Sequence, residues 1–180
     1  MNNQKWKLIN KRNVFESKWM NIEDRSYELP DGKVVKGYYH LDRPNYVLIL
    51  AINNENQIVV EKQYRRGVDE FVYELPAGWM NTDESPVEAA KRELSEETGY
   101  VGNGEKFIEI FPQPGFSSMK AFVVILSIND NKVNENRDSD EILSYELIGI
   151  EKIKAMLKNG EIKDMGFLSA LTIYESHIDR

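Results

Sequence analysis

The segment Ser85–Tyr100, SPVEAAKRELSEETGY, carries a start signal, a stop signal and a core-facing stripe for a single helix. Ser85 is a natural N-cap, Pro86 falls at the first helical position and Glu88 at the third, the S-x-x-E capping box. Gly99 suits a left-handed C-terminal stop. The expected helix covers about residues 86–98. Val87, Ala90 and Leu94 recur at spacings of three and four and give it a buried face. Glu93, Glu96 and Glu97 stand at i, i+3 and i+4, so they share a different face one turn apart. Carboxylates at that spacing repel by a few tenths of a kcal/mol per pair. A helix that accepts this cost presents either a solvated surface or a site for something positive. Arg92 can reach back to Glu88, on to Glu96, or out to a loop acid such as Glu84.

The rest of the chain supplies the layer on which such a helix packs. Residues 5–41 read as strands, with a hairpin turn at LPDG, Leu29–Gly32. YVLILAI, Tyr46–Ile52, is apolar throughout and fits a strand buried on both faces. NNEN is a turn, and Gln57–Arg65 returns as a strand. Phe71–Gly78 starts extended and closes in a Pro/Gly turn. Further strands are expected at Lys106–Phe111, Phe122–Ile128 and within ILSYELIGI. The polar segment Asn129–Glu141 reads as a loop. A short helix ends at Gly160, and DMGFLSALTIYESHI forms another. Interleaved helices and strands predict one α/β domain with a mixed sheet.

Composition narrows the chemistry. Net charge is −7, which gives no overall attraction to nucleic acid or to an anionic membrane. An anionic substrate would need local positive charge from arginines or bound cations. There are no cysteines, so disulfides, thiolate nucleophiles and cysteine zinc sites are excluded. His40 and His177 are the only histidines, and both read as surface or packing residues. A metal here would be held by oxygen, which suits Mg²⁺ or Mn²⁺. The first residues lack the apolar core of a signal peptide, and the apolar runs are too short to span a bilayer. The expected location is the cytoplasm.

The whole segment from Gly78 to Tyr100 reads G-x5-E-x7-R-E-U-x-E-E-x-G-U, through Gly78, Glu84, Arg92, Glu93, Leu94, Glu96, Glu97, Gly99 and Tyr100. At a tenth for each of its seven identities, chance gives on the order of 10⁻⁷ per starting position. The pattern resembles the signature of the Nudix hydrolases, with Tyr100 where that family usually has an aliphatic residue. The resemblance implies a Nudix-like α/β/α sandwich with a mixed sheet and an N-terminal strand-rich segment. It implies Mg²⁺- or Mn²⁺-dependent hydrolysis of a diphosphate linked to a nucleoside. Glu93, Glu96 and Glu97 would be metal ligands, Ala77 or Gly78 would add a backbone carbonyl, and Glu84 and Arg92 would tie loop to helix.

Flanking segments resemble one branch of that family, the ADP-ribose and ADP-sugar pyrophosphatases. They are EKQYRRGVDEFVYELPAG (Glu61–Gly78), FPQPGFSS (Phe111–Ser118) and GEIKDMGFLSAL (Gly160–Leu171), so the likeness spans roughly residues 15–175. It implies hydrolysis of ADP-ribose to AMP and ribose 5-phosphate. GDP-mannose or another sugar nucleotide is the alternative, and a non-catalytic ligand sensor a further one. Arg65, with Arg66 as a weaker candidate, would contact the diphosphate. Glu74 would bind substrate or lock the loop. Pro114, Gly115 and Phe116 would line the substrate site. Trp19 would stack on a base or act as a buried anchor. The catalytic base would be Glu141, or Asp138 under a different alignment of the acidic segment. Many relatives carry an acid near Ser118–Lys120, where this chain has Met119. The branch implies a homodimer built through residues 1–45, followed by a Nudix domain over residues 46–180.

Overall fold

The structure is a computed structural model, described here for residues 4–104, 106–132 and 144–178. The chain divides into two compact units, residues 1–45 with 111–120, and residues 46–110 with 121–180.

The first unit is built on an antiparallel three-stranded sheet in the order β1-β2-β3, formed by Lys7–Glu16, Asn21–Glu28 and Val34–Asp42. The LPDG turn joins the last two, with Gly32 at φ 83°. Ion pairs Lys11–Glu23 and Arg12–Asp24 link β1 to β2. Residues 111–120 are fastened to β3. The Tyr38 hydroxyl donates to Gly115 O at 2.8 Å, and Leu41 N donates to Phe116 O at 2.8 Å.

The second unit is an α/β/α sandwich. Its mixed sheet runs in the order β11-β5-β4-β10-β8, from Ser144–Gly149 (β11), Gln57–Arg65 (β5), Tyr46–Ile52 (β4), Ala121–Lys132 (β10) and Tyr100–Asn103 (β8). β10 and β4 are parallel, whereas β10 meets β8 antiparallel. Glu70–Glu74 (β6) pairs with β5, Ala77–Trp79 (β7) with β4, and Phe107–Ile110 (β9) with β10. On one face lie Ile150–Lys158 (α2) and Met165–Ile178 (α3), which pack Ile153, Met156, Phe167 and Leu171 against Leu48, Leu50, Ile58 and Val60. On the other face lies Pro86–Thr98 (α1), which packs Ala89, Ala90 and Leu94 against Val47, Ile49, Val59 and Val124. Alternation along β4 and β5 sends successive apolar residues to opposite cores, which is why β4 is apolar throughout and β5 is apolar over Ile58–Val60.

Two local expectations change, and one strand was not expected. Ala77–Trp79 is a strand rather than a turn, because it fills the place beside β4 that β5 vacates. β4 and β5 pair only at Ile52–Ile58 near their connecting turn, while Val47 and Leu48 pair with Gly78 and Ala77. The strand after Lys120 runs on to Lys132, four residues past Ile128, because its end pairs with β8 as far as Tyr100. β8 itself carries no sequence signal beyond Tyr100 and Val101, and it forms because α1 delivers the chain directly to the sheet edge.

Candidate active site

α1 keeps the bounds its capping signals imply. The Ser85 hydroxyl accepts from Glu88 N, the Glu88 carboxylate accepts from Ser85 N at 2.9 Å, and Gly99 takes φ 77°. These caps fix the phase of the helix, and the buried Leu94 fixes its rotation. The acidic face then meets β7 residue by residue. The Ala77 backbone lies near Glu97 and works against the rise of its pKa. The Gly78 Cα lies directly under the Glu93 carboxylate, so close that any β-carbon there would overlap it. Trp79 O accepts from Arg92 Nη2 at 3.0 Å.

Arg92 sits at the centre of this seam. Its Nε and Nη2 grip Glu84 at 2.8 and 2.9 Å, while Nη1 donates to Glu93 at 2.7 Å and to Glu96 at 3.2 Å. Of the three acids the sequence placed within its reach, Glu84 and Glu96 are engaged, Glu88 instead serves the N-cap, and Glu93 is a further partner. Glu84 also accepts from Asn81 N at 2.9 Å, so one carboxylate ties the loop before α1 to the helix itself. The Arg92 guanidinium holds the Glu84 carboxyl down at about 2, and the acids around Arg92 raise its own pKa. Burial pushes Glu93 upward despite Arg92. Glu97 is pushed well above the usual carboxylate range, first by burial and then by the charge of Glu61, a buried acid close to it on β5.

The donor set fits a hard divalent cation. It is made of oxygen alone, it gathers like charges that repel when nothing positive lies between them, and Glu97 Oε2 is buried without a hydrogen-bond partner. Among the described residues, no three carboxylate or imidazole groups stand as a finished cage. Arg92 draws Glu93 and Glu96 toward itself, and the Glu96 side chain remains 60% exposed.

The remaining candidates lie apart in sequence and element. Arg65 and Glu74, on β5 and β6, form a forked ion pair with Nε at 3.0 and 2.8 Å from the two carboxylate oxygens. Trp19 lies in the turn between β1 and β2, 56% exposed with Lys18 over its ring, so it is not a buried anchor within the chain. Pro114, Gly115 and Phe116 belong to the first unit, on the loop held by β3. Met119 is buried. His40 is also buried; desolvation lowers its pKa, and Nε2 lies 3.3 Å from the Ser118 hydroxyl. Asp138, Glu141 and the side chain of His177 lie outside the described residues. No helix among the described residues is long and apolar enough to cross a membrane.

Comparison with known proteins gives a consistent result. The NUDIX domain model matches residues 42–170. The ADP-ribose pyrophosphatase of Bacillus subtilis (strain 168) is 30% identical over 162 residues, spanning 88% of this chain and 86% of that protein. The methanol dehydrogenase activator of Bacillus methanolicus is 30% identical over 160 residues, with the same coverage of 88% and 86%. The crystal structure of an ADP compounds hydrolase superimposes with a TM-score of 0.84, over 98% of this chain and 95% of that one, at 23% identity. The seam of β7 against α1 is where the Gly78–Tyr100 pattern is spent, and the family model runs through it and across the whole sheet: this chain belongs to the Nudix hydrolase family.

Proposed function

We propose that the chain is a divalent-metal-dependent hydrolase of the diphosphate linkage in nucleoside diphosphate sugars, and that it converts ADP-ribose and water to AMP and ribose 5-phosphate. The observation that carries the reaction type is the set of carboxylates on the α1 face that meets β7, with one buried Glu97 oxygen left unpartnered. The substrate rests on the E-L-P-A-G and P-G-F-S elements and on the similarity to a protein named ADP-ribose pyrophosphatase.

In this reading Glu93, Glu96 and Glu97, with a backbone carbonyl of Ala77 or Gly78, hold Mg²⁺ or Mn²⁺. A bound divalent cation would supply charge neutralisation and Lewis acidity at the diphosphate. Arg92 and Glu84 keep the helix and its preceding loop in one register, so the carboxylates face a fixed point. Arg65 binds the diphosphate, oriented by Glu74, and its planar fork suits paired phosphate oxygens. Trp19 and the loop Pro114–Phe116 contact the nucleoside and sugar. Glu141, or Asp138, takes the proton of the attacking water.

The test is a hydrolysis panel run in Mg²⁺ and separately in Mn²⁺, with products read by mass. It contains ADP-ribose, ADP-glucose, GDP-mannose, UDP-glucose, diadenosine polyphosphates and 8-oxo-dGTP. The expected result is preference for ADP-ribose with release of AMP, abolished by EDTA and by Glu97→Gln, with substrate binding retained in the variant. Preference for GDP-mannose would keep the metal chemistry and overturn the substrate. Tight binding with no turnover of any diphosphate would overturn the enzyme reading.

A further inference from the structure

Glu61 lies outside the Gly78–Tyr100 signature, yet it is one of the most buried charged residues described, at 3% exposure. Its place in the fold explains where it points. On β5, Val59 and Glu61 alternate onto one face while Ile58 and Val60 fill the opposite core. Val59 packs in the cluster that contains Leu94 of α1. Two residues further along β5 and three further along α1, the carboxyls of Glu61 and Glu97 come close to each other. Glu61 lies where β5 has parted from β4, paired with Glu74 of β6 on one side and Tyr145 of β11 on the other.

An inward position on a central strand under a helix normally takes an aliphatic residue. A carboxylate there is costly unless something offsets its desolvation. Arg92 is occupied with Glu84, Glu93 and Glu96. Two carboxyl groups close together, with Glu93 nearby and Glu97 Oε2 unpartnered, form an oxygen-only group of high negative charge density. Such a group is stabilised by a small hard cation between its members. We propose that Glu61 is a further carboxylate of the cation site, holding the divalent ion together with Glu97 from the sheet side. The proposal rests on the metal-dependent reading given above.

The experiment uses the full chain and Mn²⁺ alone, without substrate. Free Mn²⁺ is titrated by its aqueous EPR signal against wild type, Glu61→Gln, Glu61→Val, and the exposed control Glu151→Gln. Thermal unfolding is followed in EDTA and in excess Mn²⁺. The expected result is Mn²⁺ binding weakened about 10- to 100-fold in both Glu61 variants and unchanged in the control. The Mn²⁺-induced rise in Tm should shrink in parallel, while Tm in EDTA holds or increases as a like-charge pair is removed. If either variant fails to fold, Glu61→Asp, which keeps the charge and withdraws it by one methylene, should fold and bind Mn²⁺ more weakly than wild type. Mn²⁺ affinity within about twofold of wild type in the folded Glu61 variants overturns the proposal and leaves the metal-dependent reading standing. Failure of the wild type itself to bind Mn²⁺ overturns both.

Discussion

Glu84 and Gly78 show how single residues hold the acidic face of α1 in place. The Glu84 carboxyl falls from 4.5 to about 2 in the fold, chiefly through its fork with Arg92. A depressed carboxylate stabilises the fold fully above its unfolded pKa and loses that stabilisation as pH falls toward its folded pKa. Glu84→Gln should therefore cost roughly 1–3 kcal/mol at pH 7. The gap to wild type should narrow as pH falls below about 4.5, and urea unfolding at pH 7, 4 and 3 measures it. A gap that is constant with pH would mean that the loss does not come from the ionised carboxylate. At Gly78 the constraint is steric. A β-carbon would overlap the carboxyl end of Glu93, a side chain that can swing away. Gly78→Ala should fold with an unchanged far-UV spectrum and lose about tenfold or more in kcat at saturating Mg²⁺, through displacement of Glu93. Unchanged kcat would show that the position of Glu93 over β7 does not matter to turnover.

At the scale of elements, α1 was legible from its sequence because its signals are local. Ser85, Pro86, Glu88 and Gly99 each act within four residues, and the helix occupies 86–98 as they imply. Ser85→Ala removes the cap that accepts from Glu88 N and should cost about 1 kcal/mol. For a chain of this size that lowers Tm by about 2–4 °C, measurable by scanning calorimetry. No change in Tm would mean that Glu88 and Pro86 suffice to start the helix. The elements that differ from the sequence expectation are those whose conformation is decided at a distance. Ala77–Trp79 has the composition of a turn and becomes a strand because β4 needs a partner beside Val47 and Leu48. Residues 129–132 are polar and extend because the strand's far end, Lys132, pairs with Tyr100 of β8 across an irregularity in register. The same holds for the site. Glu93, Glu96 and Glu97 could be placed on one face from helical spacing alone. The seam with β7 and the approach of Glu61 depend on strand order, which no local pattern encodes.

At the scale of the whole molecule, β1 is the element most open to a partner. All ten of its residues, Lys7–Glu16, are exposed, and it is an edge strand of the first unit's sheet. Leu8, Ile9, Val14 and Phe15 are each 43–51% exposed, and Trp6 is 47% exposed just before them. A long edge strand that carries apolar side chains and lacks a covering layer invites pairing with another chain. The sequence resemblance implies a homodimer built through this segment, and a second copy would supply the missing layer and bring Trp19 to a partner's site. Sedimentation velocity at micromolar concentration should then give a species of twice the 20.9 kDa chain mass. Ile9→Glu combined with Phe15→Glu should shift it to a monomer. Both positions are exposed within the chain, so the substitutions should change intrinsic stability by no more than about 0.5 kcal/mol each. If Trp19 acts across the interface, the monomeric variant should show a raised KM for ADP-ribose, and Trp19→Ala should raise KM by a similar factor without changing the mass. A wild-type chain that sediments as a monomer at these concentrations would reject the dimer and require Trp19 to act, if it acts, within its own chain.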